Sequence, residues 1–208
     1  MSVSCNEFRD IVTRALGALP AHADELRDLD AALGDGDLGI TVQAGSAAVI
    51  KALAALPDTA SVADVLLAAG KAFSTANPST FAALVGGGLL AASRTMTGKE
   101  PVGKAEVVEI GRAVAGRIAE RGKSKLGDKT VLDALVPSLD TLEATDGTAA
   151  ELLAAMIATA QEQVNATADL RSQKGRAAWV QERSVGHADP GATAYLRFLG
   201  ALKEATTS

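Results

Sequence analysis

Three aspartates, Asp30, Asp35 and Asp37, crowd the stretch DLDAALGDGDLGIT (28–41), with Gly34, Gly36 and Gly39 set among them. Glycine stops the preceding helix and lets the backbone fold back on itself, so the three carboxylates can converge. Converging carboxylates raise one another's pKa unless a cation neutralises them. Hard oxygen ligands with room left for water and phosphate suit magnesium. At about 100° per residue, Leu26, Leu29 and Leu33 form the apolar stripe of the helix ahead of the turn. Asp28 faces away from that stripe, while Asp30 falls on its shoulder, where a carboxylate loses water and needs a donor or a cation. The turn also reads as a helix stop followed by Asp37 as an N-cap. Both readings stand, and the shoulder position of Asp30 weighs toward metal.

Other motifs fail on position. Gly34-x-Gly36-x-x-Gly39 has the spacing of a dinucleotide fingerprint, but it follows a helix and its acids would repel a pyrophosphate. An EF-hand counted from Asp35 needs a glutamate at its twelfth place, where Ser46 stands. Gly122-Lys123-Ser124 looks like the end of a phosphate loop, but Gly116 lies one residue too far upstream.

The elements that must position the aspartates are helices. Of the 208 residues 48% are apolar and only 3% aromatic, a balance that favours close helix packing over strands. Apolar residues recur at helical spacing over about 4–19, 20–32, 38–55, 61–75, 79–96, 102–121, 129–142, 147–169 and 190–205. Ser61, Asp128 and Asp189-Pro190 mark helix starts. Short connections suit antiparallel neighbours, and the longer polar ones fall near 121–128 and 170–189. In an up-and-down arrangement alternate loops share an end, so 33–38, 76–79, 122–128 and 170–189 are expected at one rim. No repeat or linker divides the chain, so residues 1–208 are read as one domain.

The bulk composition narrows the partners. A formal charge of −5 argues against nonspecific nucleic-acid binding. One cysteine and two histidines exclude an internal disulfide and disfavour a structural zinc site. No signal peptide and no apolar run of membrane-spanning length are visible, so a cytoplasmic protein without membrane partners is expected.

The acidic turn closely resembles the signature of the nucleotide-binding (L) subunit of dihydroxyacetone kinases. GKSKLGDKTVLDALVP (122–137) and GRAAWVQERSVGHADPGA (175–192) resemble two further signatures of that family, in the same order and spacing. The resemblance implies an all-α ring or barrel of about eight antiparallel helices with ATP or ADP at one rim. It implies that Asp30, Asp35 and Asp37 hold magnesium, in the family two ions, bridging the nucleotide phosphates. It places Leu38, Gly39, Ile40 and Thr41 beside those phosphates, and carries further nucleotide contacts onto Gly122, Val131, Arg176, Asp189, Pro190 and Gly191. Arg176 would offer a fixed fork of donors, and the helix opening at Pro190 would present free N–H groups.

Two departures mark a divergent branch. Leu38 stands where the family often has histidine, and TANPSTFAALVGGG (75–88) replaces its glycine-rich phosphate loop. Within it, Asn77, Ser79 and Thr80 place donors at a helix start, and Gly86 to Gly88 read as permitting close helix packing. The resemblance implies Mg²⁺-dependent phosphoryl transfer to a short-chain ketose or aldose held on a separate K-type subunit. The phosphoryl donor is ATP or a phosphotransferase-system protein acting on bound ADP. Two rivals remain: a nucleotide-sensing regulatory subunit without turnover, and the nucleotide domain of a fatty-acid-kinase-like enzyme. His187 is the one candidate base, and it also reads as a structural turn residue.

Overall fold

The helical spacing of apolar residues is realised along the chain, and a computed structural model describes residues 2–207. Among these residues there are nine α-helices and no strand, only an isolated bridge between Val3 and Val102. They are α1 (Cys5–Ala18), α2 (Ala23–Leu33), α3 (Leu38–Ala54), α4 (Val62–Ala76), α5 (Thr80–Thr95), α6 (Lys104–Gly122), α7 (Val131–Ala144), α8 (Ala149–Ala168) and α9 (Pro190–Thr207). Among the described residues no helix is long and apolar enough to cross a membrane.

Caps set several of the starts. Ser4, Ser61 and Thr148 accept from the third helical amide while Glu7, Asp64 and Glu151 reach back to the cap N–H. At α7 the cap is Thr130, paired with Asp133, rather than Asp128. Asp128 instead accepts the Lys125 N–H at 3.1 Å inside the preceding turn.

From α3 to α9 each helix packs on the next. α1 and α2, joined by a 3-10 turn at Leu19–His22, form one kinked wall that closes the ring between α9 and α3. Arg14 in α1 reaches the Ala205 carbonyl at the far end of α9 at 2.7 Å, whereas Glu25 in α2 pairs with Arg197, two turns into it, at 2.8 and 2.5 Å. Counted as walls, the ring has the expected eight members.

The walls approach closely because small residues line their contacts. A Cβ on Gly86 of α5 would lie 2.6 Å from the Ser74 Cβ and 2.7 Å from the Gly70 carbonyl of α4. Gly87 faces open space. The expectation of packing glycines therefore holds at Gly86 and fails at its neighbour. Gly86→Ala should cost about 1–3 kcal/mol through overpacking. Gly87→Ala should be neutral or stabilising by up to about 1 kcal/mol, since alanine favours helix. Thermal unfolding of the two variants checks this, and equal melting points would contradict it.

Candidate functional site

The acidic turn joins α2 to α3, and its three acids meet. One carboxylate oxygen from each of Asp30, Asp35 and Asp37 lies within 4.8 Å of the others. Asp30, in the last turn of α2, folds the loop back: its Oδ2 accepts the N–H of Leu38 at 3.1 Å. Asp37 occupies the N-cap position of α3, yet its side chain makes no capping bond. The capping reading of Asp37 is thus corrected: it holds the cap position, but its carboxylate accepts neither the N2 nor the N3 amide. Burial, and then the neighbouring Asp30, push the Asp37 carboxyl above its ordinary value.

The donor set fits a hard divalent cation. Oxygens on one magnesium sit about 3 Å apart when adjacent and about 4.2 Å when opposite, and these carboxylate oxygens lie within 4.8 Å of one another. In the chain alone the neutralising charge comes from Arg176. Its Nη1 contacts Asp35 Oδ2 and lies 3.6 Å from Asp37 Oδ2. Arg176 sits on the 170–189 connection, which is thereby brought to the acidic turn as the loop alternation requires.

The other predicted residues gather around this rim with distinct jobs. Leu38 is buried in the core, and its N–H is taken by Asp30. Gly39 packs so tightly that a Cβ there would lie 2.1 Å from the Ala23 carbonyl of α2. Its missing side chain serves helix packing, while its amide and that of exposed Ile40 belong to the first turn of α3, where N–H groups lack intrahelical partners. Thr41 is buried, and its hydroxyl accepts from Asn77 Nδ2 at 2.7 Å, which leaves its proton to donate and ties α3 to the 77–79 turn. Ser79 caps α5 by accepting the Ala82 N–H at 3.1 Å, and Thr80 stands exposed in the first turn.

Gly122, Val131 and Gly191 come together against two side chains that sequence reasoning passed over, Phe81 and Leu84. Leu84 methyls lie 3.7 and 3.9 Å from where a Gly122 Cβ would be. The Phe81 ring and Val131 Cβ lie 3.4 and 3.6 Å from the equivalent point on Gly191. The starts of α5, α7 and α9 and the end of α6 thus meet around an apolar cluster at the same end of the ring. A phenylalanine one position after a helix start, in a chain with four phenylalanines, was the available signal. His187 is exposed in the turn before Asp189.

Asp189 is buried at the head of α9, directly before Pro190. Its Oδ2 accepts the Ala192 N–H at 2.7 Å, and its carbonyl accepts from Thr193 Oγ1 at 2.9 Å. Burial raises its pKa from 3.8 to about 7, against the pull of the Ala192 amide. A folded-state value above the unfolded one means that the folded chain holds this proton more tightly. The contribution is present below about pH 4 and lost as pH rises toward 7. Asp189→Asn keeps an acceptor for Ala192 without the titration. The variant should therefore gain on the wild type in melting temperature between pH 4 and pH 7, and a constant difference would refute the assignment.

Comparison with known proteins agrees with this geometry. The sequence profile of the DAK2 domain matches residues 32–204. The ADP-binding subunit of the PEP-dependent dihydroxyacetone kinase of Escherichia coli is 27% identical over 199 residues, covering 94% of each chain. A counterpart from Listeria innocua is 31% identical over 202 residues, covering 93% of this chain and 91% of its own. D-erythrulose kinase of Mycolicibacterium smegmatis is 38% identical over 192 residues, covering 88% of this chain, which spans only 33% of that longer enzyme. Among solved structures, the dihydroxyacetone kinase from C. freundii in complex with AMP-PNP and Mg²⁺ matches with a TM-score of 0.76 at 26% identity. That match covers 94% of this chain and 33% of the other. With an all-helical ring, an acidic turn at its rim and these relatives, the chain belongs to the DAK2-domain family, beside the ADP-binding subunits of dihydroxyacetone kinases.

Proposed function

We propose that the whole chain acts as one nucleotide-binding unit, the phosphoryl-transfer subunit of a dihydroxyacetone-kinase-like enzyme. Its rim takes ADP or ATP with magnesium, in the family pattern two ions. The observation that carries this reading is the convergence of Asp30, Asp35 and Asp37 beside the first turn of α3. Bound there, magnesium would screen the phosphate charge and stabilise the transferring group. The chain supplies position: the carboxylates hold the metal, and the amides at Gly39 and Ile40 face the anion at the positive end of α3. Arg176 already reaches the acidic turn, so its guanidinium is within range of an anion seated there. Phe81, Leu84 and Val131 offer an apolar face for a base. Thr80 and the head of α9 flank the same space.

The acceptor is a short-chain ketose or aldose, in line with relatives named for dihydroxyacetone and erythrulose. It is held by a K-type partner subunit, and the donor is ATP or a phosphotransferase-system protein that rephosphorylates bound ADP. Titration calorimetry should show magnesium-dependent binding of ADP, weakened about tenfold or more by Asp35→Asn, a difference of at least about 1.4 kcal/mol. Label from ATP should reach dihydroxyacetone or erythrulose only when a K-type subunit is added. Tight nucleotide binding without transfer in that mixture would point instead to a sensing role. Absence of magnesium-dependent binding would end the proposal.

A further inference from the structure

Lys129 heads the largest fully buried side chains of the ring, with 1% of its surface exposed. Among the described residues its Nζ makes no contact with a carboxylate. It donates instead to three main-chain carbonyls, those of Ala168 and Leu170 at 2.8 Å each and that of Ser184 at 2.5 Å. Those bonds use the whole donor capacity of an ammonium group. Ala168 and Leu170 lie at the C-terminal end of α8, where carbonyls lack helical partners and the dipole is negative. Ser184 lies at the far end of the connection to α9. One side chain thus grips both ends of the segment between them.

That segment is a closed loop with a narrow neck. The Gly186 N–H donates to the Ala168 carbonyl at 2.9 Å, and the Ser172 N–H to Ser184 Oγ at 2.9 Å. The Gln173 N–H reaches the Asp128 carbonyl at 3.0 Å, so the turn carrying Lys129 is also the floor of the loop. The floor is itself rigid: Asp133 accepts the amides of Gly127 and Thr130, at 2.6 and 2.7 Å. Lys129 takes a left-handed backbone conformation, φ 60°, which costs a residue with a side chain roughly 1 kcal/mol. Burial pulls the ammonium pKa down, and Asp189 and Asp169 pull it back up. A desolvated charge and a strained backbone are both tolerated where three main-chain carbonyls converge on one donor. At the other end of the loop stands Arg176, on the acidic turn.

We infer that Lys129 is a positioning residue that locks the neck of the 170–186 loop and so holds Arg176 over the acidic turn. Its effect on nucleotide binding rests on the proposed function. Its effect on the loop does not.

Two measurements on the full chain separate the two. Trypsin cleavage after Lys174 and Arg176, in protein free of metal and nucleotide, reads the neck alone. Lys129→Met should speed that cleavage at least about tenfold while unfolding stays cooperative. Calorimetry with Mg²⁺ and ADP then compares wild type, Lys129→Met, Arg176→Ala and the double variant. If Lys129 acts through Arg176, its replacement weakens ADP in the wild-type background about tenfold and has little further effect once Arg176 is gone. A merely structural role would lower affinity by the same factor in both backgrounds. Should Lys129→Met fail to fold, Ser184→Ala loosens the same neck from the other side and enters the same cycle. Unchanged cleavage, or additive losses of affinity, overturns the inference. A wild type that binds no Mg²⁺ and ADP, with cleavage still accelerated, removes the proposed function and leaves the lock standing.

Discussion

Carboxylates with oxygens within 4.8 Å of one another repel unless positive charge is brought among them. In this chain the relief is divided between one backbone amide and one guanidinium. The Leu38 N–H serves Asp30, and Arg176 serves Asp35 and Asp37. The amide belongs to the helix that follows the turn. The arginine belongs to a connection more than a hundred residues later in the chain. The acidic turn therefore keeps its shape only if the ring closes and brings α8 and α9 round to α2 and α3.

Closure in turn depends on two kinds of contact. Glycines such as Gly39, Gly70 and Gly86 let helix backbones approach to distances that a Cβ would forbid. Polar ties then set the register of the walls at each end. Thr41 with Asn77, and Gln173 with the Asp128 carbonyl, join loops at the functional rim. At the opposite end Val3 pairs with Val102, and Lys104 reaches the Thr145 carbonyl at 2.6 Å. The rim acids sit on a scaffold whose loops are bonded to one another, which suits a site that works by positioning charge.

Much of this was legible in the chain. Apolar periodicity located all nine α-helices, because an amphipathic stripe must face a core wherever its helix packs. The shoulder position of Asp30 pointed to a carboxylate needing a partner, and the structure supplies one in the Leu38 amide. Other roles were not legible. Asp128 and Thr130 are both good caps by residue type, and only the start of α7 at Val131 decides between them. Gly39 is expected beside phosphate from the sequence, and only the fold shows that α2 also lies against it. Phe81 and Leu84 read as ordinary core residues, since their nearness to Gly122, Val131 and Gly191 spans four elements.

The sequence by itself determined which stretches are helical, which turn carries the acids, and which chemistry they suit, because those properties follow from neighbours a few residues away. Tertiary structure alone decided that Arg176 would be the cation at the turn and that Lys129 would be buried against main-chain carbonyls. Both depend on segments far apart in the chain arriving at one point, and charge is neutralised by what is near in space.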